Sequence, residues 1–164
     1  MKGRFLLLIF IIISLSACQD TIPVWRAVKE LPDFTLYLAD YPCELVIDLS
    51  NSSNEEFDGK LELVVTYHKN IGRREIPLFI TIEDQDNKIN EYYTSIPIKE
   101  FDQFIGKPDE RNEQYTISHI AIPQKRFNKQ SYKFKVYADT QSEEKVYGIT
   151  QIEIRIYRLT SEAS

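Results

Sequence analysis

Along most of the chain, apolar and polar residues alternate with a period of two. Leu45, Ile47 and Leu49 alternate with Val46, Asp48 and Ser50, and Leu61, Leu63, Val65 and Tyr67 with Glu62, Val64, Thr66 and His68. Leu78, Ile80 and Ile82 oppose Phe79, Thr81 and Glu83; Tyr132, Phe134, Val136 and Ala138 oppose Lys133, Lys135 and Tyr137. Ile152, Ile154 and Ile156 alternate with Glu153, Arg155 and Tyr157. Such runs predict half-buried strands with one wet face. Three-and-four spacing occurs only at Phe101, Phe104 and Ile105, before Gly106 and Pro108, and predicts one short helical turn. Turn-forming residues separate the runs: Asn51-Ser52-Ser53-Asn54 and Asp58-Gly59, Asn70-Ile71-Gly72, and Asp84 to Lys88. Residues 106–114 form the most polar stretch and read as an exposed loop. About eight short strands of this kind predict an antiparallel β-sandwich, all-β apart from that turn, in a single domain over residues 24–164.

The N-terminus carries a different pattern. Lys2 and Arg4 precede nine uninterrupted apolar residues, Phe5 to Ile13, followed by the small residues Ser14, Ser16 and Ala17. A cationic start, a short apolar run and a small-residue exit make a secretory signal over residues 1–17. Nine residues are too few to cross about 30 Å of hydrocarbon as a helix. The exit, Leu15-Ser16-Ala17-Cys18, resembles the lipobox of bacterial lipoproteins. That resemblance implies cleavage before Cys18, lipid on its thiol and its new amino group, and a tether over residues 18–23. Cys18 is thus the expected lipid attachment site, and the membrane the first expected partner.

Charge and cysteine usage narrow the picture. Removing residues 1–17 takes away Lys2 and Arg4 and no acid, so the net charge moves from −5 to −7. An acidic chain is a poor nucleic-acid binder, which would need clustered Lys and Arg. With Cys18 carrying lipid, Cys43 has no partner, and in Tyr41-Pro42-Cys43-Glu44-Leu45 it reads as a small buried hydrophobe. His68 and His119, the only histidines, lack the neighbouring ligands a zinc site needs. The turn at Asp84 has acids at positions one and three of a calcium loop, but Lys88, Ile89 and Ser95 at positions five, six and twelve, so it predicts a hairpin. No Gly-x-Ser-x-Gly and no Walker-type loop occurs. The expectation is a non-enzymatic protein without cofactor or metal.

Aromatic residues are abundant: ten Tyr, nine Phe and one Trp. Large rings fill strands well, yet Tyr is also enriched in interfaces. Tyr92, Tyr93, Tyr115 and Tyr137 are the candidate interaction surface.

The order of features resembles the GldH family of gliding-motility lipoproteins. The residues that carry the likeness are the lipobox, Val24-Trp25-Arg26-Ala27-Val28-Lys29-Glu30-Leu31-Pro32, the strand and turn from Leu45 to Asn54, Tyr132-Lys133-Phe134-Lys135-Val136, and Gly148-Ile149 before the Ile-Arg-Ile strand. The sequence departs from that family between Lys99 and Gln114, where it has only Gly106 in place of a Gly-rich segment with Trp. The resemblance implies an accessory, non-catalytic subunit of the envelope machinery for gliding and protein secretion, with other envelope proteins as partners. The alternative is an envelope lipoprotein that binds carbohydrate or another ligand. Gln19 in place of Asp, and the absence of a Lys-and-acid cluster in Gln19-Asp20-Thr21-Ile22, imply sorting to the outer membrane with the domain facing the periplasm.

Overall fold

A computed structural model describes residues 22–37, 42–51, 56–139 and 145–159. The expected signal (1–17), Cys18 and most of the expected tether lie outside them. The alternating runs form the predicted strands, and the burial pattern follows the alternation: in β3 (Cys43–Asp48) Cys43, Leu45 and Ile47 are buried while Glu44, Val46 and Asp48 are exposed. The other long strands are β1 (Trp25–Glu30), β4 (Glu56–His68), β5 (Glu75–Glu83), β6 (Ile89–Pro97), β10 (Gln114–Asn128), β11 (Ser131–Ala138) and β13 (Ile149–Arg158). Short pieces complete the set: β2 (Thr35–Tyr37), β7 (Lys99–Glu100), β8 (Gln103–Phe104), β9 (Lys107–Asp109) and β12 (Lys145–Tyr147).

Two sheets face each other. One has the order β1-β13-β4-β10-β9 and the other β3-β11-β5-β6; β2 pairs with β12 and β7 with β8, and every pairing is antiparallel. The chain is an all-β sandwich, as its periodicity predicts. Ile152, Ile154 and Ile156 lie opposite Val65, Leu63 and Leu61, all with 0% exposure. They meet Ile76, Leu78, Ile80 and Phe134 of the other sheet in one apolar cluster. Each buried aliphatic side chain contributes about 1.5–3 kcal/mol, so the last strand alone carries a large share of the fold's stability.

Strand directions set the two poles. β1 begins, β13 ends and β4 begins at one pole, where the N–H of Val24 donates to the carbonyl of Ile156 (2.8 Å). The chain therefore enters the domain at this pole, which the expected tether would make the tether pole. The opposite pole collects the connections 69–74, 98–106 and 110–113 and the turn at Gly148. Gly148 adopts φ 93°, donates to the carbonyl of Phe34 (2.8 Å), and would push a Cβ to 3.1 Å from that of Ile71. Only glycine fits there without strain.

The structure corrects three expectations. Residues 99–104 form the β7–β8 hairpin, because Phe101 and Asp102 both take positive φ (46° and 63°) and the chain folds back at once. Among the described residues the one helical turn is a 3-10 turn at Pro32–Phe34. Asp58 and Gly59 are not a turn but lie inside β4, where Gly59 lets the backbone approach the carbonyl of Tyr157. Within the expected loop 106–114, Lys107 to Asp109 pair with the start of β10. The turn at Asp84 is the expected hairpin, with Oδ1 accepting from the N–H of Asp86 (3.0 Å) and Lys88 (2.9 Å).

Candidate functional site

The four candidate tyrosines do not form one surface. Register places Tyr137 of β11, Phe79 of β5 and Tyr93 of β6 side by side on the outer face of the four-stranded sheet. The Tyr137 and Phe79 centroids are 5.6 Å apart with planes at 29°; Phe79 and Tyr93 are 4.7 Å apart at 25°. Near-parallel planes this close put ring face against ring face, so the rings stand upright in a row across three strands. Phe79 has both faces covered. Tyr93 sits on the terminal strand, its outer ring face uncovered, and is 67% exposed.

Polar rows flank the stack. On one side run Glu44, Lys135, Thr81 and Glu91 in register; on the other lie Pro77 and Ser95, whose hydroxyl donates to Glu75 (2.8 Å). Lys135 pairs with Glu83 at 3.7 Å.

Tyr92 and Tyr115 point inward. Tyr92 lies opposite Ile80 and packs on the core, and burial raises its phenol pKa. Tyr115 stacks on Tyr67 (5.9 Å) and Phe104 (5.0 Å). The Tyr67 hydroxyl donates to the carbonyls of Ile98 (3.1 Å) and Ile105, which pins the β7–β8 hairpin over that pole. Burial first, then Tyr115, pushes the Tyr67 phenol up to about 12. Both inward tyrosines are therefore packing residues. Phe79 is not among the four candidate tyrosines, although its outward position is legible from the alternation.

The two imidazoles are far apart in role. His68 accepts the N–H of Asn70 on Nδ1 (3.2 Å), and its Nε2 faces Glu113 at 3.7 Å. His119 points inward from β10, where its Nε2 meets the hydroxyl of Thr94 of β6 at 2.7 Å and joins the two sheets at their edge. Burial lowers the His119 pKa, because it disfavours the charged ring. Among the described residues no group of three or more His, Cys, Asp or Glu side chains could hold a metal ion. Cys43 is 2% exposed, and burial pushes its thiol up to about 11, so it is a packed hydrophobe rather than a nucleophile.

On the outer face of the five-stranded sheet, Glu153 is only 3% exposed. It accepts from Nε of Arg26 (2.7 Å) and from Nε and Nη2 of Arg155 (2.7 and 3.2 Å). Arg155 also reaches Glu62 (3.4 Å), which accepts from the Tyr157 hydroxyl (2.9 Å). Hydrogen bonds to Glu153 hold the Arg155 guanidinium even more firmly protonated than usual. The two acids that come together here do so across a guanidinium that binds both, an arrangement suited to holding strands rather than to proton transfer.

Concavities also mark the described surface. A cleft of about 330 Å³ lies beside Cys43, bounded by Lys29, Leu31, Leu36 and Tyr37. Another, of about 380 Å³, lies at the loop pole between Phe34, Tyr147, His68 and Asn70.

No protein-family model and no curated protein matches the chain. Similar backbones occur among solved structures. The mosquito-larvicidal Cry4Aa toxin of Bacillus thuringiensis aligns with TM-score 0.46 and 9% identity, over 87% of this chain and 22% of the toxin chain. A protein of Sulfurospirillum deleyianum aligns with TM-score 0.39 and 14% identity, over 84% and 99% of the two chains. The CBM36-1 domain of a multidomain xylanase, from the hindgut metagenome of Trinervitermes trinervoides, gives TM-score 0.39 and 7% identity over 84% and 91%. At these TM-scores the likenesses carry no argument about what this chain does.

Proposed function

We propose that the protein is a lipid-anchored envelope subunit that acts by binding another protein and not by catalysis. In this reading Cys18 carries the lipid, the outer membrane holds it, and the sandwich stands in the periplasm with its tether pole toward the bilayer. From Cys18 to Val24 the chain spans six steps, which reach at most about 20 Å. The domain is therefore kept close to the membrane while its sides and loop pole stay accessible. The observation that carries a binding role is the aromatic row ending in Tyr93, exposed on the sheet's outer face next to polar rows. Tyr is enriched at protein interfaces because it brings large area with few rotatable bonds. The resemblance to GldH lipoproteins, carried by residues at both ends of the chain, supports reading it as an accessory subunit of gliding and secretion machinery.

Metabolic labelling with palmitate tests the anchor. The natural chain should incorporate label and sediment with outer membrane, and Cys18→Ser should do neither while keeping its β-fold. Label and membrane fractionation unchanged by Cys18→Ser would contradict the reading. A second reading, carbohydrate binding, is favoured by the uncovered ring face of Tyr93. Upright rings leave the sugar only that one face, so glycan-array binding lost on Tyr93→Ala would support it.

A further inference from the structure

The four-stranded sheet has two edges, and they are finished differently. At the β3 edge, β1 of the facing sheet lies alongside, and the Lys29 ammonium donates to the carbonyl of Glu44 (3.3 Å). In the five-stranded sheet, β10 runs free of β9 beyond Thr116, but it carries Pro123 and register shifts at Ile120/Ile122 and Ile122/Lys125. Proline, bulges and lysine are the usual devices that stop an edge from pairing with another chain.

β6 has none of these along its length. Its nine residues pair with β5 without a register shift, from Glu75↔Pro97 to Glu83↔Ile89. Among the described residues β5 is its only backbone partner. It contains no Lys or Arg, its proline is the last residue, and its inward row (Asn90, Tyr92, Thr94, Ile96) is uncharged. Its outward row is Ile89, Glu91, Tyr93 and Ser95, with Ile89 56% and Tyr93 67% exposed. The facing sheet also extends one strand further on this side, because β9 lies beyond β10 while no described strand lies beyond β6.

We infer that β6 is an acceptor edge to which an extended segment of another protein adds as a fifth strand. Backbone hydrogen bonds to β6 would supply the affinity and the outward row the selectivity. The row specifies the added strand: an aromatic residue opposite Tyr93 to continue the stack, a Lys or Arg opposite Glu91, and an apolar residue opposite Ile89. A second copy of this chain is a poorer occupant. Antiparallel β6–β6 pairing about a two-fold axis would invert one copy, so the two tether poles would point in opposite directions. That choice rests on the lipid anchor at Cys18, whereas the acceptor edge itself does not.

The test uses the full chain in detergent and a capped, fluorescent peptide, Thr-Val-Tyr-Val-Lys-Thr-Val, matched antiparallel to the outward row. Saturable binding is expected, weakened about five-fold by Glu91→Lys, the size of one strong cross-strand pair. A peptide with Glu in place of its Lys should bind Glu91→Lys better than it binds the natural chain. Tyr93→Ser should weaken both peptides while the thermal melt stays in place. Absence of saturable binding, or binding indifferent to both substitutions, overturns the acceptor edge. Self-association of the full chain that Tyr93→Ser abolishes would instead make a second copy the occupant. Palmitate labelling tests the anchor separately, so the two failures cannot be confused.

Discussion

The outer faces of the two sheets are both wet, yet they are finished by opposite means. On the five-stranded sheet Glu153 is closed in by Arg26 and Arg155, and Glu62 by Arg155 and Tyr157, so both carboxylates have their partners inside the domain. On the four-stranded sheet Tyr137 covers Phe79 and Phe79 covers Tyr93, but Tyr93 covers nothing further. A charge network saturates, because each donor and acceptor has a fixed capacity. A stack of rings ends wherever the sheet ends, and its last face stays open. The first face should therefore matter for stability and the second for binding.

The largest effect should come from breaking the saturated face. Arg155→Met leaves the buried Glu153 carboxylate with only the exposed Arg26 as counter-ion. Removing one partner of a buried pair costs about 3–5 kcal/mol, and the remaining Arg26 places this case near 3. Urea unfolding should show that loss; a change below about 1 kcal/mol would mean the network is ornamental.

The core under the four-stranded sheet gives a control of nearly the same size. Cys43 titrates near 9 when unfolded and near 11 when buried. Between those values the folded state holds the proton that the unfolded state has lost. Stability should be independent of this group below pH 9 and fall by about 2–3 kcal/mol as pH rises to 11. Comparing Cys43→Ala with the natural chain separates this from Tyr67, whose phenol is also raised. Equal alkaline slopes in the two proteins would show that the thiol is accessible.

The smallest stability effects belong to the open face. Phe79→Ala removes the middle ring and should cost about 1–2 kcal/mol, since a half-buried ring loses contacts on both sides. Tyr93→Ser should cost less than about 0.5 kcal/mol, as exposed positions usually do, while reducing binding. If Tyr93→Ser destabilises as much as Phe79→Ala, the stack is a structural device and the contrast between the faces collapses.

Much of the fold was legible because one physical rule governs it. A strand with one buried face must alternate, and Leu45 to Leu49, Leu61 to Tyr67 and Ile152 to Ile156 do so with few interruptions. β6 and β10 were harder to read: as outer strands they bury few side chains completely, so Asn90 and Thr94 sit at inward positions. The hairpin at Phe101 was hidden because Phe101, the first of its two central residues, is not of a type that usually takes positive φ. Of the candidate surface, Tyr93 and Tyr137 were identified but not their contact through Phe79, which depends on how β5, β6 and β11 pair. Alternation gives the face of each residue; register, which decides neighbours, is set by turns and by the core as a whole. The Arg155 network was illegible for the same reason, since Glu62 and Glu153 are 91 positions apart in sequence.

The most direct measurement is photo-crosslinking in intact cells from a benzoylphenylalanine placed at Tyr93 and, separately, at Ile120, which is 50% exposed on the outer face of the other sheet. An adduct with a second protein is expected from position 93, lost when Cys18 is changed to Ser, and none from position 120. An adduct of equal yield from position 120, or none from position 93, would contradict it.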